Sequence, residues 1–84
     1  MTEQRIQKKI TDQLTNDGWF VIKLMKTSIN GIPDLMALRN GTTKFIEVKK
    51  PSGTISIIQQ YRIKQLRKQG FEAVVMDGID SIIY

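Results

Sequence analysis

Apolar residues recur at helical spacing in two stretches of the chain. In the first, an isoleucine or leucine returns every four residues, at Ile6, Ile10 and Leu14. This spacing places them on one face and predicts a helix over residues 2–17, which Thr2 can cap. A second helix is predicted over 57–69, between the potential cap Ser56 and the terminating Gly70. Each helix therefore has one apolar face to bury.

Four short apolar runs bounded by turn residues predict β-strands over 19–25, 35–38, 44–49 and 71–76. Asn40-Gly41 joins the second and third strands and is typical of a tight hairpin, so this pair should be antiparallel. A helix crossover joins the third and fourth strands and favours a parallel pair. The order α-β-β-β-α-β therefore predicts an α/β fold, in which helices flank a mixed four-stranded sheet. A short tail, helical or irregular, follows at 79–84.

The length of the chain limits its architecture. Its 84 residues suffice for a single domain, predicted over 1–84. So small a domain has a small core, and the absence of cysteine removes disulfides as a source of stability. We therefore expect a homodimer whose symmetric contact covers the apolar residues of the tail, Ile79, Ile82, Ile83 and Tyr84. The alternative is a monomer whose tail folds back onto its own sheet.

Charge narrows the class of partner. Thirteen Lys and Arg face eight Asp and Glu, giving a formal net charge of +5. This balance favours a polyanion such as nucleic acid, although a basic surface that only keeps the protein in solution has the same composition. The absence of histidine excludes Ser-His and Cys-His catalysis. With no apolar signal region and no run near the ~20 residues of a membrane span, we expect a cytoplasmic protein without membrane contact or small-molecule cofactor.

The third strand carries two charged residues on one face. Alternation places Glu47 and Lys49 together, roughly 6.6 Å apart along the strand. Alone, they would indicate the solvated side of an antiparallel sheet. Asp34 changes this interpretation, because it precedes the neighbouring strand and the hairpin folds it back beside Glu47. Two carboxylates and an ammonium group at one sheet end suit a hard divalent cation and a phosphate. The alternative for Asp34 is a local turn acceptor after Pro33.

One polar residue lies on the apolar stripe of each predicted helix, near its N-terminal end. These residues are Glu3 in the first helix and Gln59 in the second. A polar group that faces inward needs a partner, and a metal-bound water or a catalytic carboxylate would provide one. The alternatives are a first-turn acid for Glu3 and a buried amide bonded to backbone for Gln59.

Together, the motifs of the chain resemble one nuclease family. They are Gly31-Ile32-Pro33-Asp34, Ile46-Glu47-Val48-Lys49, Ser56-Ile57-Ile58-Gln59 and Gly70. In this form and spacing they resemble the VRR-NUC branch of the PD-(D/E)XK nucleases, over nearly the whole chain from Glu3 to Met76. The predicted order of elements is also that of the restriction-endonuclease-like core of this superfamily. Without added domains, the chain is similar to the stand-alone viral (phage) form.

The resemblance implies a metal-dependent, structure-selective DNA endonuclease that hydrolyses phosphodiester bonds. It implies that Mg²⁺ or Mn²⁺ is held by Asp34, Glu47 and the backbone carbonyl of Val48. Lys49 would assist the attacking water, and Glu3 and Gln59 would complete the site. Stand-alone members are homodimers that act on branched DNA, including four-way (Holliday) junctions, which gives the implied assembly and substrate.

Basic residues near these motifs predict a DNA surface, to which we assign Lys50, Lys26 and Arg62. For any one of them, ordinary solvation is the alternative. Trp19 is predicted to be a core residue rather than a platform for base stacking. Two other functions stay open: a non-catalytic basic nucleic-acid-binding module on the same fold, and a subunit whose acidic cluster is only structural.

Overall fold

The predicted order of helices and strands is confirmed by a computed structural model, which describes residues 2–78. The elements are α1 (Glu3–Asn16), β1 (Phe20–Lys23), β2 (Leu35–Arg39), β3 (Thr42–Val48), α2 (Ile57–Lys68) and β4 (Glu72–Met76). The tail predicted at 79–84 lies outside the described residues. Neither of the two helices in the described part has the length and apolar character that a membrane span requires.

The four strands form one mixed sheet in the order β1-β2-β3-β4. The first three strands are antiparallel neighbours, whereas β3 and β4 run parallel. The β2–β3 hairpin turns at Asn40 and Gly41, whose φ angles of 50° and 78° are the positive values that such a two-residue turn requires. The predicted mixed sheet is therefore confirmed, with its antiparallel and parallel pairs as expected.

The first strand is shorter than predicted at both ends. The backbone N–H of Trp19 donates to the carbonyl of Leu14 at 3.0 Å, so Trp19 belongs to the end of α1 rather than to the sheet. At the other end, β1 ends at Lys23, opposite Leu35, and Met25 is exposed in the following loop. The apolar run thus predicted too long a strand, because its first residue belongs to a helix terminus and its last residues belong to a loop.

One face of the sheet packs against α1. Val48 and Ile46 alternate with Glu47 along β3 and join the larger core cluster, which contains Ile6, Ile10, Trp19, Leu35, Ala37, Ile46, Val48 and Val74. Trp19 is only 9% exposed, which confirms that it is a core residue. The guanidinium of Arg39 lies over its ring, 4.4 Å from the ring centre.

The other face packs against α2, over a smaller cluster. Ile63 of α2 meets Ala73 and Val75 of β4, and Phe45, Ile55 and Leu66 pack around them. Because strand residues alternate, the two clusters lie on opposite sides of the sheet and give three layers, α1, sheet and α2. Glu47 alternates with Ile46 and Val48 and therefore points to the α2 side of the sheet.

Candidate active site

Glu47 is a buried carboxyl on the central strand β3. Its side chain is 3% exposed, although Phe45 and Lys49 on the same face are partly accessible. A solvated strand face is therefore the wrong interpretation for Glu47. A carboxyl removed from water needs compensating partners, because the cost of burying the charged form is high.

Asp34 lies beside Glu47 because of the β2–β3 register. Leu35 is opposite Ile46, so Asp34, one residue earlier, is at the level of Glu47, one residue later. The Asp34 carboxylate accepts a hydrogen bond from the backbone N–H of Val48 at 2.9 Å. This partner is on another strand, so Asp34 is not the local turn acceptor that we considered. Its own carbonyl accepts from Leu24 at 2.8 Å, which extends the β1–β2 pairing up to the site.

Gln59 brings α2 to the site. Ser56 and Gln59 form a capping box in which the Gln59 Oε1 accepts from the Ser56 N–H at 2.9 Å, and the Ser56 Oγ accepts from the Gln59 N–H at 3.2 Å. With Oε1 occupied in this way, the Nε2 group of Gln59 points to Glu47 and donates to its Oε2 at 3.3 Å. The Gln59 amide is therefore bonded both to backbone and to the Glu47 carboxyl, and its side chain is only partly buried.

Lys49 supplies the positive charge closest to Glu47 along the strand. Its Nζ lies 3.7 Å from the Glu47 Oε2, and its side chain is only 15% exposed. The backbone N–H of Lys49 donates to the carbonyl of Met76 at 3.1 Å, which continues the pairing of β3 with β4 just beyond the last strand residue. The ammonium group is thus held at the same end of the sheet as the two carboxyls.

The electrostatics of this pair of carboxyls are unusual. Burial, the neighbouring charge of Asp34 and a side-chain hydrogen bond with Asp34 raise the pKa of Glu47 from its ordinary value of 4.5 to about 8. Lys49 opposes this rise in the Glu47 pKa without cancelling it, and Glu3 adds to it. The site is therefore short of positive charge when both carboxyls are ionised.

Glu3 is close to this site but does not face inward as expected. It is exposed in the first turn of α1, one turn before Ile6, which is the first buried residue of that helix. It nevertheless lines a cleft together with Asp34 and Val48. The inward orientation was wrong because the apolar stripe of α1 meets the sheet only from Ile6 onward.

The donor set fits a divalent cation. Among residues 2–78, acidic side chains do not form a group of three placed to hold a metal. The donors available are the two carboxylates of Asp34 and Glu47 and the backbone oxygen of Val48, all of them hard oxygen ligands. A cation between the carboxylates would stabilise the ionised form of Glu47, which burial and the neighbouring charge of Asp34 disfavour by raising its pKa.

The three predicted DNA contacts differ in their surroundings. Lys50 and Lys26 are exposed, and Lys26 lies on the loop that lines a cleft with Asp34. Arg62 is only partly exposed, and its Nε donates to the carbonyl of Asn30 at 2.8 Å. Sequence reasoning missed this contact, because nothing in the chain indicates a bond between residues 32 positions apart.

The architecture and the paired carboxyls define a nuclease-like α/β domain, and comparison with known proteins agrees. A solved structure described as a VRR_NUC domain is similar, with a TM-score of 0.79 and 31% identity, over 87% of this chain and 81% of that chain. The profile of the VRR-NUC domain family matches residues 1–80. No curated protein matches the sequence significantly. The chain therefore belongs to the VRR-NUC family, a family of nucleases that in general depend on a divalent metal and act on DNA.

The raised pKa of Glu47 predicts how the metal-free protein responds to pH. Between pH 4.5 and 8 the folded state keeps a proton on Glu47 that the unfolded chain has lost, so the free energy of unfolding should fall as pH rises. The contribution of one such proton is a slope of up to about 1.4 kcal/mol per pH unit. Urea unfolding in a chelator, measured across this range, should show the slope in the native protein and its loss in Glu47→Gln. Asp12→Asn, a change at an exposed carboxylate, should keep it, and an unchanged slope in Glu47→Gln would contradict the assignment.

Proposed function

We propose that this protein is a Mg²⁺- or Mn²⁺-dependent endonuclease that hydrolyses phosphodiester bonds in DNA. The observation that carries the proposal is the burial of Glu47 beside Asp34, with the ammonium group of Lys49 3.7 Å from the Glu47 carboxyl. A chain that only binds DNA gains nothing from a pair of carboxyls that repel both each other and phosphate. The non-catalytic alternatives therefore leave this arrangement without a reason.

Each residue of the site has a distinct role in the proposal. Asp34, Glu47 and the Val48 carbonyl hold the metal, which when bound polarises a phosphoryl oxygen and makes a coordinated water more acidic. Gln59 keeps the Glu47 carboxylate oriented through its Nε2 donor. Lys49 stabilises negative charge on the attacking water or on the phosphate. Glu3, which lines the cleft, would accept a hydrogen bond from a water that enters the site.

We further propose that the substrate is branched DNA, four-way junctions included. The support is the family resemblance, and DNA shape would then be recognised in place of base sequence. Lys26 and Lys50, which flank the site in the sequence and are both exposed, would contact phosphates of the DNA. The Arg and Lys residues of α2 extend this proposed DNA-binding surface.

Replacement of the site residues tests the proposed chemistry. Asp34→Asn and Glu47→Gln should abolish cleavage while leaving the fold intact, since each removes a metal ligand without removing volume. Lys49→Ala should lower kcat more than DNA affinity, because its work is done on the transition state. The measurement is gel analysis of branched and linear DNAs, with and without Mg²⁺ and Mn²⁺, and Asp12→Asn is the matched carboxylate control. Cleavage at the native rate by Asp34→Asn or Glu47→Gln would contradict the site.

The two helices differ in charge, and this difference predicts which one contacts DNA. The helix α2 carries Arg and Lys but no acidic residue, whereas in α1 an acid pairs with a base, since Lys8 bonds Asp12 at 2.7 Å. Replacing Lys64 and Lys68 of α2 together with Ala should reduce the slope of log affinity against log salt by about 2. Replacing Lys8 and Lys9 of α1 makes the same change in net charge and should leave the slope nearly unchanged. Equal effects of the two double variants would contradict the assignment of α2.

We also propose a homodimer with two equivalent sites, which suits the two symmetric strands of a four-way junction. The described part of the chain exposes large apolar side chains that a monomer leaves in water, including Phe20 at 67% and Ile57 at 85%. Sedimentation equilibrium at micromolar concentration should give twice the 9.6 kDa mass of the chain. A 9.6 kDa species that still makes paired cuts in a junction would refute the dimer and its symmetry argument.

A further inference from the structure

The loop that leads to Asp34 is fastened to α2 by Arg62. The Nε of Arg62 donates to the carbonyl of Asn30 at 2.8 Å, and the same guanidinium donates through Nη1 to the Gln65 side chain at 2.8 Å. The guanidinium carbon also lies over the ring of Tyr61, 5.3 Å from the ring centre. The guanidinium is therefore braced by its own helix while it holds the loop.

The residue after Asn30 packs its backbone directly on the same helix. Gly31 has a φ of +83°, and a Cβ placed there would lie 2.9 Å from the Ile58 Cγ1 and 3.0 Å from the Ile58 carbonyl oxygen. Gly41 also has a positive φ, but a Cβ there would meet nothing within 4 Å. The glycine at 31 is thus required by close packing as well as by the turn.

These contacts close a ring of interactions around the two carboxyls. From Arg62, one turn of α2 leads back to Gln59, which donates to Glu47. In the other direction the loop leads through Pro33 to Asp34, whose carboxylate accepts from the Val48 N–H next to Glu47. The loop and the helix are therefore joined twice, once at Arg62 and once through the carboxyls.

We propose that Arg62 and Gly31 form a clamp that positions Asp34 and Gln59 relative to Glu47, and that Arg62 is a positioning residue rather than a DNA contact. The proposal rests on the proposed nuclease function, since it concerns the same site. Two of the guanidinium donor groups of Arg62 already have acceptors within the protein, whereas Lys64 and Lys68 on the same helix are exposed. Loss of the clamp would loosen the first turn of α2 and, with it, the donor that holds Glu47.

The chain provides a matched control on the same helix. The Nε of Arg67 donates to the carbonyl of Ala73 at 2.9 Å, a bond of the same type, in this case to the start of β4. Arg62→Met and Arg67→Met therefore remove the same charge and the same kind of hydrogen bond. They differ in that the Arg62 bond to the Asn30 carbonyl belongs to the ring around the carboxyls and that Arg62 also donates to Gln65.

The first measurement needs neither metal nor substrate. In NMR spectra of the metal-free protein, Arg62→Met should shift or broaden the signals of the Gln59 side-chain amide and the Val48 backbone amide, and Arg67→Met should leave both in place. Arg62→Lys, which can still donate to the Asn30 carbonyl, should restore these signals in part and keeps the test usable if Arg62→Met unfolds. Unchanged Gln59 and Val48 signals in a folded Arg62→Met protein would overturn the proposal.

The second measurement connects the clamp to function. Calorimetry with Mn²⁺ should show affinity reduced about tenfold in Arg62→Met, as is typical for residues that orient metal ligands, and within twofold of native in Arg67→Met. Arg62→Met should leave the salt dependence of DNA binding nearly unchanged, because the proposal does not make Arg62 a phosphate contact. If Arg62→Met instead weakens only DNA binding and its salt slope, Arg62 is a phosphate contact and the clamp is refuted. If the native protein binds no Mn²⁺, the proposed function fails, while the NMR comparison still decides whether the clamp exists.

Discussion

The burial of Glu47 beside Asp34 is the constraint on which the rest of the site depends. A carboxyl that is 3% exposed next to a second acid is costly in its ionised form, and the surrounding contacts offset part of that cost. The Val48 N–H bonds Asp34, the Gln59 amide bonds Glu47, and the ammonium group of Lys49 lies within 3.7 Å of it. These partners come from β3 and α2, so the site exists only when the hairpin and the second helix are both in place.

Much of the fold followed from local patterns. Helical spacing, the Asn40-Gly41 turn and the Ser56 cap specify elements within a few residues of themselves, and the structure agrees with each of them. The first strand was predicted too long because an apolar residue can serve a neighbouring element, as Trp19 does at the end of α1. A hydrophobic run indicates burial, but it does not indicate which element provides the covering.

The sequence predicted the two acids and the lysine of the site, but it did not predict the contacts that hold them in position. Asp34 and Glu47 could be paired because a tight hairpin fixes the register of its two strands. The orientation of Glu3 could not be predicted in the same way. Helical periodicity places Glu3 on the apolar stripe of α1, but it does not show how far along the helix the sheet extends. Contacts such as that of Arg62 with Asn30 depend on how the layers are assembled, and periodicity carries no information about that.

The Gln59 amide uses its two ends for two purposes, and this division has a consequence for which sequences the fold can accept. Either Gln or Glu at this position satisfies a capping box, because both offer an oxygen to the Ser56 N–H. Only the amide also has an N–H to offer Glu47, so a carboxylate here would cap the helix equally well and face a second acid. Formation of the helix alone would thus accept either Gln or Glu at position 59, whereas the buried Glu47 accepts only Gln. Among related chains that keep the fold, the identity of the residue at this position should therefore indicate whether the buried acid still functions.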